Sequence, residues 1–208
     1  MEKEFEYKFM VQKNEFYHIE SYMFTSKIPY KIVTQTNYYY DTNDFLLYNS
    51  GMTCRIRRID SKLLGTLKIH CNKHVNSNIE LPLNVNEITE TLCLDKLCLT
   101  LIGELVTIRK SFELNNGIQI MLDTNIYRGN TDFEIEVEYP ENALEQAKRI
   151  MDELDMLLYQ HGIMTGQDMS SVYDKSSSKY SRFIKATGKI HNKNNVLITD
   201  KGDNNGSY

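Results

Sequence analysis

Glu4-Phe5-Glu6-Tyr7-Lys8-Phe9, near the start of the chain, alternates charged and aromatic residues without a break. Side chains two apart share one face of a β-strand, so Glu4, Glu6 and Lys8 fall together and Phe5, Tyr7 and Phe9 fall opposite. Neighbours on one face lie roughly 6–7 Å apart, close enough for two carboxylates to share a divalent cation. Without a cation between them, two such carboxylates repel. A solvated strand face carrying Glu and Lys has the same pattern, so this stretch alone leaves both readings open.

The alternation recurs along the chain. Cys54-Arg55-Ile56-Arg57 sets two guanidiniums on one face, and Thr66-Leu67-Lys68-Ile69-His70 places Lys68 between two apolar residues. Phe133-Glu134-Ile135-Glu136-Val137-Glu138-Tyr139 puts its carboxylates on one face and its apolar groups on the other. Arg109 and Asp123 belong to further predicted strands. Two arrangements satisfy these patterns. In one, a sheet buries its apolar face and exposes its charges to water. In the other, a barrel turns the charges inward and covers its apolar outside with helices. Burying unpaired ions costs several kcal/mol each, so an inward charged face requires a wet tunnel holding metal ions and a polyanion. Hard Mg²⁺ or Mn²⁺ takes carboxylate oxygens, whereas Arg and Lys take phosphate oxygens.

Around these strands, the spacing of Phe16, Ile19, Tyr22 and Met23 predicts a helix over 14–24 with Asn14 as N-cap. Val33 to Asp41, rich in β-branched and aromatic residues, reads as a strand, its Tyr38-Tyr39-Tyr40 run as wall packing. Residues 54–59 and 63–70 form a hairpin around Asp60-Ser61-Lys62, and 79–83 is a short strand. The mostly apolar stretch 89–106 reads as helix. Residues 107–114 and 118–122 flank the turn Asn115-Asn116-Gly117, and 132–139 is a strand. Leu144, Ala147, Ile150, Met151, Leu154, Leu157 and Leu158 form one stripe of a helix over 141–159. Residues 189–208 are polar and lack periodicity, as in a disordered tail. Many strands, tight turns and a few helices predict an α+β fold around a closed or nearly closed antiparallel sheet.

The 208 residues suit one domain, and 41% hydrophobic with 25% charged is an ordinary globular composition. The net charge of -4 argues against a general nucleic-acid binder. No apolar run reaches the length of a membrane span and the N-terminus has no signal-peptide core, so a cytoplasmic protein is expected. Cys54, Cys71, Cys93 and Cys98 form no CxxC pair, and free thiols are expected. His70 ends a predicted strand and His74 lies in a loop, so the two do not read as a zinc pair.

The order of the motifs is what carries a family resemblance. The N-terminal ExExK strand is followed by Tyr39-Tyr40-Asp41-Thr42 and then by Leu46-Leu47-Tyr48-Asn49-Ser50-Gly51-Met52-Thr53-Cys54-Arg55-Ile56-Arg57. Thr66-Leu67-Lys68, the Arg109 strand, Leu122-Asp123, residues 132–138 and Ser178-Lys179-Tyr180-Ser181-Arg182-Phe183 complete it. From Glu4 to about Phe183 the series resembles the CYTH superfamily, the triphosphate tunnel metalloenzymes, and most of all its short single-domain bacterial branch. The resemblance implies a closed eight-stranded antiparallel β-barrel with a charged lumen, flanked by helices, over residues 1–186 with a tail over 187–208. It implies Glu4, Glu6, Asp123, Glu134 and Glu136 as ligands of Mg²⁺ or Mn²⁺, with Glu138 on the same face. Lys8, Arg55, Arg57, Lys68, Arg109, Lys179 and Arg182 match phosphate-binding positions, and Glu4, Glu6 and Lys8 would carry the catalysis. Around Glu80 many members have Arg-x-Glu. Here Asn78-Ile79-Glu80 retains the acid and lacks the Arg, removing one phosphate contact.

Tripolyphosphate or a nucleoside triphosphate carries about four negative charges, and phosphoryl transfer needs mainly positioning and charge stabilisation. The expected activity is metal-dependent hydrolysis of a small-molecule triphosphate, inorganic tripolyphosphate first. Its rivals are a class IV-type adenylate cyclase, a thiamine triphosphatase and a non-catalytic polyphosphate- or nucleotide-binding module. No purine-specific constellation supports the cyclase, and the intact carboxylate set argues against a mere binder. Neither nucleic acid nor membrane is an expected partner; monomer and dimer both stay open.

Overall fold

The computed structural model describes residues 2–70, 77–160 and 178–188; for residues 2–4, 77 and 160 it describes the backbone only. The alternating N-terminus is strand β1 (Glu2–Val11). Helix α1 (Lys13–Thr25) leads into β2 (Tyr30–Asp41), and the short α2 (Leu46–Asn49) into β3 (Met52–Ile59) and β4 (Lys62–His70). There follow β5 (Ser77–Leu83), β6 (Thr91–Leu94), β7 (Leu97–Glu113), β8 (Gln119–Tyr127) and β9 (Asn130–Tyr139). Helices α3 (Leu144–Gln160) and α4 (Lys179–Ala186) complete the described chain. The expected tail over 189–208 lies outside the described residues.

All nine strands belong to one curled antiparallel sheet in the order β2-β3-β4-β5-β1-β9-β8-β7-β6. β2 also pairs with β7, Tyr30 opposite Phe112 through Asp41 opposite Thr100, so the order from β2 to β7 returns to β2. The ninth strand, β6, extends the beginning of β7 as a hairpin.

Residues 89–106 correct the sequence expectation: they are not a helix but β6, a turn and the first half of β7. Leu92 and Leu94, then Leu97, Leu99 and Leu101, recur at period two, the strand signature that their overall apolarity hides. Asp95 turns the chain at φ +53. The expectation of free thiols is corrected here too. Cys93 and Cys98 face each other in this hairpin and are joined by a disulfide. Cys54 is free and buried, and Cys71 lies outside the described residues.

Helix α1 begins one residue before its expected start, with Gln12 rather than Asn14 at the cap. The Gln12 amide donates to Glu15 Oε2 at 2.6 Å, satisfying an otherwise orphaned N–H. α1 and α3 cover the outer face of β1, β8 and β9. Phe9, Ile135, Val137 and Tyr139 pack there against Phe16, Ile19, Ala147, Met151, Leu154 and Leu158, all buried. Apolar residues thus face the helices, and the charged face of the same strands turns the other way. A second cluster packs Tyr40, Cys54 and Ile56 under the β6–β7 hairpin. Among the described residues no helix is long and apolar enough to cross a membrane.

Candidate functional site

The charged faces converge on one cavity. It is lined by Glu6 and Lys8 of β1, Tyr39 of β2, Thr53, Arg55 and Arg57 of β3, Lys68 and His70 of β4, Arg109 of β7, Glu136 of β9, and Ser178 to Tyr180. Where one strand contributes more than one residue, as β1, β3 and β4 do, they are two apart, as pleat geometry requires.

One wall is cationic. Arg57 donates to Asn37 Oδ1 at 2.9 Å, and Arg55 and Lys68 each lie 3.4 Å from Glu80 Oε1. The Arg55 Nε is buried without a hydrogen-bond partner. Burial, then the neighbouring Arg55 and Arg109, push the Arg57 guanidinium down to about 9, still cationic at neutral pH.

The opposite wall is acidic and densely paired. Asp123, Glu134 and Glu136 are buried and offer carboxylate oxygens all within 4.8 Å of one another. Arg109 grips both oxygens of Asp123 at 2.8 and 2.6 Å and reaches Glu136 at 2.5 Å. Lys8 bridges Glu6 at 2.9 Å and Glu136 at 3.0 Å. Burial alone would raise these carboxyls, yet Lys8 and Lys68 hold Glu6 at about 2. Lys179, Lys8 and Arg109 likewise hold Glu136 well below the usual carboxylate range. One acceptor stands apart: Glu134 Oε1 is buried with no hydrogen-bond partner.

Helix α4 closes this wall. Ser178 caps it by accepting from the Ser181 amide at 3.1 Å. Tyr180, Phe183 and Ile184 pack against Tyr39, Leu105 and Tyr127, and the Tyr180 hydroxyl donates to Asp41 at 2.6 Å. Gly103, at a bulge with φ +148, makes room: a Cβ there would lie 2.9 Å from the Phe183 ring. Lys179 and Arg182, one helical turn apart, therefore point at the acids. Lys179 Nζ lies 2.9 Å from Asp123, 2.7 Å from Glu134 and 2.8 Å from Glu136. Arg182 pairs with Asp132 and Glu134, each at 2.8 Å.

Most of the residues singled out in the sequence meet here. Glu6, Lys8, Arg55, Arg57, Lys68, Arg109, Glu136 and Lys179 line the cavity; Asp123 and Glu134 stand directly behind Lys179, and Glu80 sits beside Arg55. Glu4 lies on β1 opposite Asn78, its side chain outside the described set. Glu138 is half-buried, at register with Glu6, away from the acid cluster. Asp132, Thr53, His70 and Asn78 were missed, although each lies two residues from a charged residue that was found. The same period-two rule would have found them. His74 lies outside the described residues.

The chain matches the CYTH domain over residues 2–162. A Bacillus subtilis protein provisionally named as the triphosphatase YjbK is 29% identical over 153 residues, covering 66% of this chain and 77% of its own. The fold is similar to that of a Bacillus halodurans protein provisionally named an adenylate cyclase (TM-score 0.62, 24% identity, covering 88% of this chain and 99% of that one). It is also similar to Hippeastrum HpAC1, described as having a dominant triphosphatase activity (TM-score 0.61, 20% identity, 92% and 98% covered). The RNA triphosphatase domain of a mimivirus mRNA capping enzyme shares the fold more distantly (TM-score 0.52, 14% identity, 75% and 88% covered).

Proposed function

The chain belongs to the CYTH domain family, and from that premise we propose that it is a metal-dependent hydrolase of triphosphate compounds, inorganic tripolyphosphate first among them. One observation carries the proposal: a single cavity joins a wall bearing Arg55, Arg57 and Lys68 to a buried trio of carboxylates. A polyanion satisfies the first and a divalent cation the second. The return of the strand order to β2 supports a closed tunnel with the charged face as its lumen.

The residues present fit a hard divalent ion. Asp123, Glu134 and Glu136 supply oxygen donors, Glu134 Oε1 has no hydrogen-bond partner, and the Lys179 ammonium is a stand-in cation at their centre. Mg²⁺ or Mn²⁺ bound there would neutralise phosphate oxygens and acidify water. Arg55, Arg57, Lys68 and Arg109 would hold the triphosphate, with Lys8 at the junction between anion and acids. Orientation and deprotonation of the attacking water fall to Glu4, Glu6, Glu134 and Glu136 as a group. Lys179 would leave the acid trio as the ion enters and, with Arg182, close over the phosphates.

The deciding experiment is phosphate release from tripolyphosphate, ATP and thiamine triphosphate with Mg²⁺ or Mn²⁺, beside Glu6→Gln. Metal-dependent release from tripolyphosphate, lost in the variant, is expected. Cyclic AMP from ATP would replace the hydrolase with a cyclase, and binding without turnover would leave a sensor. Lys179→Met should tighten Mn²⁺ binding in calorimetry; unchanged affinity would mean that Lys179 does not compete for the metal position.

A further inference from the structure

Three residues left idle by that mechanism meet at the cavity edge: Thr53 on β3, His70 at the end of β4 and Asn78 on β5. His70 and Asn78 are register partners. His70 Nδ1 lies 2.9 Å from Asn78 Oδ1, Asn78 Nδ2 donates to Glu6 Oε1 at 3.1 Å, and Thr53 Oγ1 lies 3.4 Å from His70 Nε2.

This chain admits one assignment of protons. Asn78 turns its NH₂ group to Glu6 Oε1, an oxygen that accepts. The amide oxygen of Asn78 then faces His70, and an amide oxygen also only accepts. Nδ1 of His70 must therefore carry a proton. Burial lowers the ring's affinity for a second proton, with Lys68 and Lys8 adding to it; the Asn78 hydrogen bond and the pull of Glu6 oppose it, and the net direction is down. The ring is neutral, and Nε2 keeps its lone pair toward the Thr53 hydroxyl.

We infer that His70 and Asn78 are positioning residues: a neutral relay that fixes the Glu6 carboxylate in the cavity. This rests on the proposed role of Glu6 in the metal and water site. Among the described residues the other groups holding Glu6 are Lys8 at 2.9 Å and Lys68 at 3.6 Å, both cations that a triphosphate would draw away. Asn78 carries no charge and has no such alternative. It keeps Glu6 in place while the lysines turn to the phosphates, and His70 keeps Asn78 from flipping its amide. Outer hydrogen-bond partners of this kind typically account for about 10–100-fold in metal affinity or activity.

The test has two readouts on the whole protein. In ¹⁵N NMR of the imidazoles, with His70→Gln for assignment, His70 should be neutral and protonated on Nδ1 at neutral pH. Its signals should move in Glu6→Ala and in Asn78→Ala, the two residues the hydrogen-bond chain reaches. In kinetics with tripolyphosphate, His70→Ala should lower kcat about tenfold with KM within about twofold. His70→Gln, which can still present an N–H to Asn78, should recover most of the loss. An Nε2-protonated or charged ring overturns the relay, as does His70→Gln no better than His70→Ala. A raised KM at constant kcat would make His70 a substrate contact instead. If the wild-type protein hydrolyses no triphosphate, the proposed function fails, and the NMR readout still decides the relay.

Discussion

The two walls of the cavity solve the same problem, charge out of bulk water, in opposite ways. On β1, β8 and β9 each buried carboxylate is matched by ammonium or guanidinium groups at 2.5–3.0 Å, the last of them delivered by α4. On β3 Arg57 stands beside Arg55 and Arg109 with the neutral Asn37 as its hydrogen-bond partner, and Arg55 lies 3.4 Å from Glu80. The acidic wall sets opposite charges against each other; the arginines of β3 set like charges side by side. Removing a buried charge should therefore destabilise one wall and relieve the other.

Glu136→Gln tests the satisfied side and should have the largest effect. It leaves Lys8, Arg109 and Lys179 short of a carboxylate, a loss of about 3–5 kcal/mol in chemical denaturation, and should abolish metal-dependent turnover. Wild-type stability after this change would mean that solvent, not Glu136, compensates those cations.

Acid should dissolve the same wall without mutation. The folded Glu6 carboxyl, at about 2, lies below its ordinary 4.5. Its contribution is thus fully present above pH 4.5 and lost as the pH falls from 4.5 toward 2. The size is about 3 kcal/mol, read as a falling unfolding free energy across that window. In Glu6→Gln that slope should flatten.

Arg57→Met tests the strained side, with the sign reversed. Its guanidinium is held below its ordinary value, so removing it should raise Tm of the free protein by a few degrees. The same change should weaken tripolyphosphate binding about 10–100-fold, or about 1.4–2.7 kcal/mol. A fall in Tm would mean that Arg57 contributes to the free fold. The smallest effect belongs to a region outside both walls. Reducing Cys93–Cys98, which closes a short loop, should cost no more than about 2 kcal/mol and leave ligand affinity unchanged.

Strands with charge on one face were readable from the sequence, because period-two alternation and a half-buried sheet are the same fact seen twice. Residues 133–139 and 5–9 fall where the alternation puts them. Residues 89–106 did not read correctly: leucine is a good helix former, and their alternation is broken by the turn at Asp95. The position of α4 was unreadable for another reason. Lys179 and Glu136 meet across a separation of 43 residues, and no local pattern encodes that contact. The His70–Asn78–Glu6 chain depends likewise on the register of β4, β5 and β1, which is set by the whole sheet.

The strand order also sets a schedule for folding. β3 and β4 form a local hairpin, and so do β8 and β9, whereas Phe5 must find Tyr139 and Tyr30 must find Phe112. Such distant pairings are slow, because loop closure must precede any reward from contact. During synthesis the crowded arginines of β3 thus form their hairpin long before Asp123, Glu134 and Glu136 are made. Those acids in turn wait for Lys179 and Arg182. Until α4 docks, a finished sheet would hold an acid trio that lacks two of its cations. Divalent ions at that moment would find the site open, so the metal would act as a folding aid before it served any reaction.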